Sequence, residues 1–254
     1  MALPRTPSFR LDSKRALVTG ASQGLGLAAA AALAEAGASV WLCARSADAV
    51  ETAAQSLRAD GGDAHALTLD VTDLEAVRRT LDGLEAFDIL VNNAGTNRPK
   101  PFTEVTPDDY DAVLDLNLRA AFFVAQAAAA RLIAAGEGGS IIHISSQMGH
   151  VGGQNRSLYC ASKWGLEGLN KAMALDLAQF GIRVNAIAPT FIETPLTRPY
   201  LEDETFRAQV LSKIKLGRLG QVEDVMGAIV FLASDASALV TGTSLVVDGG
   251  WTAE

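Results

Sequence analysis

Short apolar runs alternate along the chain with longer stretches in which apolar residues recur every three or four positions. The runs at 16–19, 39–44, 64–69, 89–92, 140–145, 183–187 and 244–247 carry mainly Val, Ile, Leu and Ala, and they predict seven strands. Ile141-Ile142-His143-Ile144 and Ile89-Leu90-Val91 are apolar at successive positions, the pattern of strands covered on both faces. Helical periodicity occupies 25–36, 47–59, 73–85, 107–135, 157–180 and 222–233. Strands separated by helices predict a parallel sheet with helices on both sides, an α/β doubly wound fold. Asp73 is placed to cap the helix it precedes, Thr106-Pro107 puts proline at a first helical position, and Gly181 closes the helix that begins near 157.

No Pro/Gly/Ser linker or internal repeat divides the 254 residues, and 49% hydrophobic content suits one core. The reading is an N-terminal arm over 1–14 and a single domain over 15–254, with a substrate loop at about 190–216. Lys plus Arg number 21 against 29 Asp plus Glu, a net charge of −8, with no basic block of the kind nucleic acids need. Residues 1–14 lack the apolar core of a secretion signal. The greasy stretches at 25–34 and 120–135 are short of a membrane span or interrupted by Gln126 and Arg131. Cys43 and Cys160 lie far apart, and three histidines, His65, His143 and His150, form no metal-ligand spacing. The expectation is a cytoplasmic protein with free thiols, no metal, no nucleic acid and no membrane partner.

Three features carry chemistry. Tyr159 and Lys163, in Tyr-Cys-Ala-Ser-Lys, are about one helical turn apart and share a face. A cation at about 4 Å stabilises a phenolate by about 4 kcal/mol at an effective dielectric of about 20, enough to bring a tyrosine into use as a general acid and base near neutrality. After the first strand, Thr19-Gly20-Ala21-Ser22-Gln23-Gly24-Leu25-Gly26 opens a helix. Glycines there let backbone amides approach a pyrophosphate at a helix N-terminus. At the tip of the second strand, where an NAD site wants a carboxylate, stand Arg45 and Ser46. A forked, permanently charged guanidinium suits the 2′-phosphate of NADP(H), so NADP(H) is preferred and NAD(H) remains possible.

These motifs together resemble the short-chain dehydrogenase/reductase family, from about residue 15 to the end. Thr19 to Gly26 resembles its cofactor loop and Asn92-Asn93-Ala94-Gly95 the motif closing its fourth strand. Asn117, Ser146, Tyr159 and Lys163 resemble its catalytic tetrad, with Ser145 as the reserve for Ser146. The resemblance implies a single Rossmann-type domain and an oxidoreductase interconverting a ketone and a secondary alcohol. It also implies cofactor contacts from Gly20, Ser22, Gln23, Gly24, Leu25 and Gly26 at the pyrophosphate, and from Asp70 and Val71 at the adenine. Asn93, Ala94 and Gly95 would meet the adenosine ribose, Lys163 the nicotinamide ribose, and Ile192 and Thr194 the carboxamide, with Tyr159 and Pro189 as further cofactor contacts. Lys163 would lower the Tyr159 pKa, and Asn117 would support a water chain reaching Lys163. Asp70 as a loop cap and Asn92 or Asn93 as ties between strands stay open as plainer alternatives.

Thr190 stands where the family usually has glycine, which leaves the path of that loop in question. Arg98, Gln147, His150 and Arg156 are the candidate substrate contacts, for a sugar acid, polyol or 3-oxoacyl compound. His143, mid-strand, reads as a core histidine. Relatives of this kind commonly form homotetramers through the helices at 107–135 and 157–180, with Ala161, Gly165 and Gly168 permitting close packing. An NAD-dependent dehydrogenase of the same family, a non-catalytic NADP-sensing module and an epimerase or dehydratase are the competing readings.

Overall fold

The apolar runs pair into one sheet of seven parallel strands, in the order β3-β2-β1-β4-β5-β6-β7, in a computed structural model that describes residues 3–253. The strands are β1 (Arg15–Thr19), β2 (Ser39–Ala44), β3 (Asp63–Thr68), β4 (Ile89–Asn92), β5 (Gly139–Ile144), β6 (Ile182–Pro189) and β7 (Ser244–Val247). Every residue of β4 is buried, as unbroken apolar strands require when helices lie on both faces. One face packs α1 (Gly24–Glu35), α2 (Ala47–Ala59) and α9 (Glu223–Ala233) against Val18, Val40, Ile142 and Ile187. The other packs α3 (Leu74–Asp82), α5 (Ala121–Ala135) and α6 (Ser157–Leu177) against Leu17, Leu90, Ile141 and Val184. Between β1 and β4 the strand order reverses, and the C-terminal ends there open the crevice in which such sheets bind ligands.

The predicted caps form. Asp73 accepts from the Ala76 amide at the start of α3, Thr106 and Asp109 make a capping box on α4 (Pro107–Leu114), and Gly181 sits at φ +70° after α6 and a short turn. The arm is anchored: Leu11 is buried and its amide donates to the Ala36 carbonyl at 2.9 Å. Three differences from the sequence reading bear on the site. β5 ends at Ile144, although the Ser145 amide extends the ladder one step by donating to the Ile187 carbonyl. The helix expected over 107–135 is broken at its middle by a π-helical turn, Asp115–Ala120. The loop expected over 190–216 contains α7 (Arg198–Leu201) and α8 (Glu204–Lys213), which cover a small satellite core of Leu201, Val210, Ile214 and Leu219.

By length and composition the stretch Pro107–Ala135 is long and apolar enough to cross a membrane, with a mean hydropathy of 1.4 in its richest window. In this fold it carries Asn117 in its π turn and buries Val124, Ala125, Ala128 and Leu132 on the sheet.

Candidate active site

Thr19, the last residue of β1, is the one polar member of that strand after Arg15, and its hydroxyl is the reason. Thr19 Oγ1 accepts the amides of Asn93 and Ala94, each at 3.0 Å, and so ties the end of β1 to the end of β4. Asn93 returns the tie, donating Nδ2 to the carbonyls of Thr19 and Gly20. Over this joint runs the glycine loop. Gly20 lies at φ +63°, and a Cβ on Gly26 would stand 2.2 Å from the Gly20 carbonyl oxygen and 2.5 Å from Asn93 Nδ2, so only glycine fits at 26. No side chain caps the N-terminus of α1 and no acidic residue stands in its first turn. Its free amides and the positive end of the helix therefore face the crevice as an anion site.

The crevice is a cavity of about 740 Å³ running from this loop to the far end of β5 and β6. Gly20, Ser22, Gln23, Gly24, Leu25 and Gly26 line its middle, with Asn93, Ala94 and Gly95. At one end are Arg45, Ser46 and Val71. Arg45 is exposed, and Ser46 caps α2 by accepting from the Ala49 amide. Asp70 is not part of the lining: its carboxylate accepts the Thr72 amide and hydroxyl at 2.9 and 2.7 Å. Burial raises its pKa, and those bonds, with Arg45 nearby, outweigh this and hold it below the usual range.

At the other end Ser146, Tyr159, Lys163, Pro189, Ile192 and Thr194 line the same cavity. Thr194 lies over Gly24 and pairs with Thr197. Ser146 Oγ donates to Gln147 Oε1 at 2.7 Å and accepts the Met148 amide at 3.1 Å, capping a short turn. Lys163 is buried, and its Nζ donates to the Ile144 carbonyl at 2.8 Å, 5.6 Å from the centroid of the Tyr159 ring. Burial brings Lys163 down to about 8, opposed by the charge of Glu167. The phenol moves the other way from the expectation: burial is the largest influence and raises the Tyr159 pKa, while the Ser146 hydroxyl opposes this.

Asn117 lies inside the π turn and is 1% exposed. Its Oδ1 accepts the Thr96 amide at 2.8 Å, and its Nδ2 donates to the Thr96 carbonyl at 2.9 Å and to Ser162 Oγ at 3.1 Å. Ser162 in turn donates to the Tyr159 carbonyl at 2.8 Å, so Asn117 is fastened to the helix of Tyr159 and Lys163. π turns accompany functional sites because the slipped ladder frees backbone groups.

The four substrate candidates are not in the cavity lining. Arg98 and Lys100 both pair with the buried Asp109, which holds that carboxyl far below its usual range, Lys100 first and then Thr106. His150 turns to Ser244 and Glu167. Arg156 is 7% exposed beneath the rings of Tyr200 and Phe206. Gln147 is buried as the partner of Ser146. Thr190 does line the cavity, and it is not among the residues at positive φ. Its chain path therefore has no need of glycine.

The structure gives individual roles to residues that the motifs left without one. Thr19 and Ser162 were legible as lone hydroxyls in apolar settings, beside the glycine loop and between Tyr159 and Lys163. Leu196 and Thr197, within the expected substrate loop, line the cavity from the stretch leading into α7.

The cavity suits a dinucleotide: glycine-cleared backbone and free helix amides at its centre, a guanidinium at one end, and a hydroxyl, phenol and ammonium at the other. The family model described as enoyl-(acyl carrier protein) reductase matches residues 20–252. Gluconate 5-dehydrogenase of Gluconobacter oxydans (strain 621H) is 40% identical over 251 residues, 96% of each chain. L-xylulose reductase of Bos taurus is 40% identical over 245 residues, covering 96% of this chain and 99% of that one. Among solved structures, a gluconate 5-dehydrogenase from Burkholderia cenocepacia J2315 in complex with NADP and tartrate is similar at TM-score 0.94 and 41% identity, covering 97% of this chain and 98% of its own.

Proposed function

Because this chain belongs to the short-chain dehydrogenase/reductase family and is an NAD(P)-dependent oxidoreductase, we propose that it interconverts a ketone and a secondary alcohol on a sugar acid or polyol, with NADP(H) as the preferred cofactor. The observation that carries this reading is the convergence of Ser146, Tyr159 and Lys163 on the cavity that also holds the glycine loop and Arg45. The similarity to gluconate 5-dehydrogenase and L-xylulose reductase favours sugar acids and polyols over 3-oxoacyl compounds.

Gly20 to Gly26 would hold the pyrophosphate, Arg45 the 2′-phosphate, Val71 and Asn93 to Gly95 the adenosine, and Pro189, Ile192 and Thr194 the carboxamide. The nicotinamide nucleotide supplies or accepts the hydride when bound. The chain supplies the proton and the alignment. Tyr159, held above its ordinary pKa, is protonated at neutral pH, the state that carbonyl reduction consumes when the phenol protonates the developing alkoxide. Ser146 exchanges its bond to Gln147 for one to the substrate oxygen. Lys163, anchored on Ile144, keeps two N–H groups for ribose hydroxyls, and Asn117 fixes the helix turn behind them.

A screen of sugar acids, ketoses and 3-oxoacyl thioesters with NADPH and NADH, read at 340 nm, tests reaction, substrate class and cofactor together. Turnover of 5-keto sugar acids or ketoses with NADPH is expected. Turnover confined to 3-oxoacyl thioesters, or none with any carbonyl, refutes the reading. Assembly is part of the same proposal: Phe122, Phe123 and Trp164 are exposed on α5 and α6, and Gly168 faces open space, whereas Gly165 packs on Leu118 of its own chain. A tetramer in light scattering is expected and a monomer contradicts it.

A further inference from the structure

Glu167 lies one helical turn beyond Lys163 on the same face of α6, and it is a carboxylate only 6% exposed. A buried carboxylate needs partners, and this one draws them from two other elements. Ser244, the first residue of β7, donates its hydroxyl to Glu167 Oε1 at 3.0 Å. His150, just beyond the turn that follows Ser146, brings Nε2 to 3.3 Å from the same oxygen and 3.0 Å from Ser244 Oγ. Gly149 lets that turn lie so close: a Cβ there would stand 3.0 Å from Glu167 Cγ and 3.2 Å from the Lys163 carbonyl oxygen. One side chain thus joins the helix of Tyr159 and Lys163, the segment that carries Ser146, and β7.

The charges agree with the contacts. Lys163 interacts with Tyr159 and Glu167 on its own helix and with His143 of β5. His143 is neutral, because burial and then Lys163 bring it down to about 4. Tyr159 is a protonated phenol, and His150 meets Glu167. Glu167 is the group that favours the ammonium of Lys163 against the cost of its burial.

We propose that Glu167 is a positioning residue for the reaction, the counter-charge of Lys163 and, through His150, the fixed point of the segment bearing Ser146. The proposal rests on the dehydrogenase reading for the roles of Ser146 and Lys163.

Glu167→Gln keeps the shape and the acceptor for Ser244 while removing the charge. Labelling of amines with acetic anhydride across pH, quantified on the peptide containing Lys163, reads the ionisation of that lysine without cofactor or substrate. The labelling midpoint is expected to fall, raising the free-amine fraction at pH 7 by about threefold or more, half a pKa unit. The alkaline limb of kcat for NADPH-dependent reduction is expected to shift the same way, and Glu167→Asp to lie between Gln and wild type in both readouts. An unchanged midpoint in a folded Glu167→Gln protein overturns the proposal. Should that variant not fold, a Glu167→Asp midpoint equal to that of wild type overturns it instead. A midpoint that moves in a protein reducing no carbonyl supports the pairing of Glu167 with Lys163 and refutes the dehydrogenase reading.

Discussion

Lys163 Nζ donates a 2.8 Å hydrogen bond to the carbonyl oxygen of Ile144, the last residue of β5 and two positions before Ser146. The bond fixes the ammonium to the strand that delivers the serine rather than to the phenol one turn away on its own helix. The lysine and the tyrosine are therefore separable in their effects.

Tyr159→Phe removes the titrating proton and leaves the Lys163 to Ile144 bond untouched. Its kcat is expected to fall by about 10²- to 10⁴-fold, the ordinary worth of a general acid, while the NADPH dissociation constant measured by fluorescence changes little. Lys163→Met removes the ribose donor and the bond to the Ile144 carbonyl, so kcat and NADPH affinity are both expected to fall. Chemical denaturation of that variant should register a loss of about 1–3 kcal/mol for the missing charge-assisted bond. Equal kinetic behaviour of the two variants contradicts this division.

Gly26 marks the closest approach of α1 to the end of β1. A methyl there would stand 2.2 Å from the Gly20 carbonyl oxygen, a backbone atom that moves only with the loop. Gly26→Ala is expected to cost about 1–3 kcal/mol as overpacking and to weaken NADPH binding at least about tenfold, measured by urea denaturation and fluorescence titration. Wild-type affinity would show that the loop yields without losing its function.

His143 predicts a pH dependence of stability. Both ring nitrogens are buried without partners, and burial, then Lys163, depress its folded pKa from 6.5 to about 4. Between these values the unfolded chain binds a proton that the folded protein refuses. The stability His143 contributes is therefore fully present above about 6.5 and is lost as pH falls toward 4, by up to about 3 kcal/mol. Urea denaturation at pH 7 and 5 should show this loss in wild type and a smaller one in His143→Leu. Equal pH dependence in the two proteins contradicts the assignment.

The central strands were legible because burial on both faces writes itself as unbroken Val, Ile and Leu, as in β4, and the seven strands fall within about two residues of their apolar runs. The cavity was legible where backbone demands fix the residue, as at Gly20 and Gly26. What was not legible depends on partners distant in sequence. Arg98 and His150 read as free cationic or titratable groups near the site, yet Asp109 claims one and Glu167 the other. The sign of the Tyr159 shift is set first by its burial, which spacing along a helix does not specify. The π turn at Asn117 is a one-step slip of the hydrogen-bond ladder and leaves no mark on composition.

Arg45 is where cofactor choice is most directly tested. It sits exposed at the rim of the cavity, at the tip of β2; Asp70 nearby is bonded to Thr72, and Asp48 stands in the first turn of α2, where its charge favours the helix. A 2′-phosphate placed there would meet the guanidinium fork and the free amides at the start of α2, whose cap Ser46 still has a hydroxyl proton to donate. An unphosphorylated ribose would meet no carboxylate to accept its hydroxyls. Arg45→Ala is therefore expected to raise KM for NADPH about 10- to 100-fold, the worth of a charge-assisted bond, with KM for NADH nearly unchanged. Arg45→Asp is expected to lower KM for NADH as well, by supplying the acceptor that the ribose diol lacks. Because the guanidinium is exposed, the wild-type advantage for NADPH should shrink with added salt. Steady-state kinetics with both cofactors at low and high ionic strength measure all three effects, and an unaltered NADPH KM in Arg45→Ala would assign the preference to another part of the cavity.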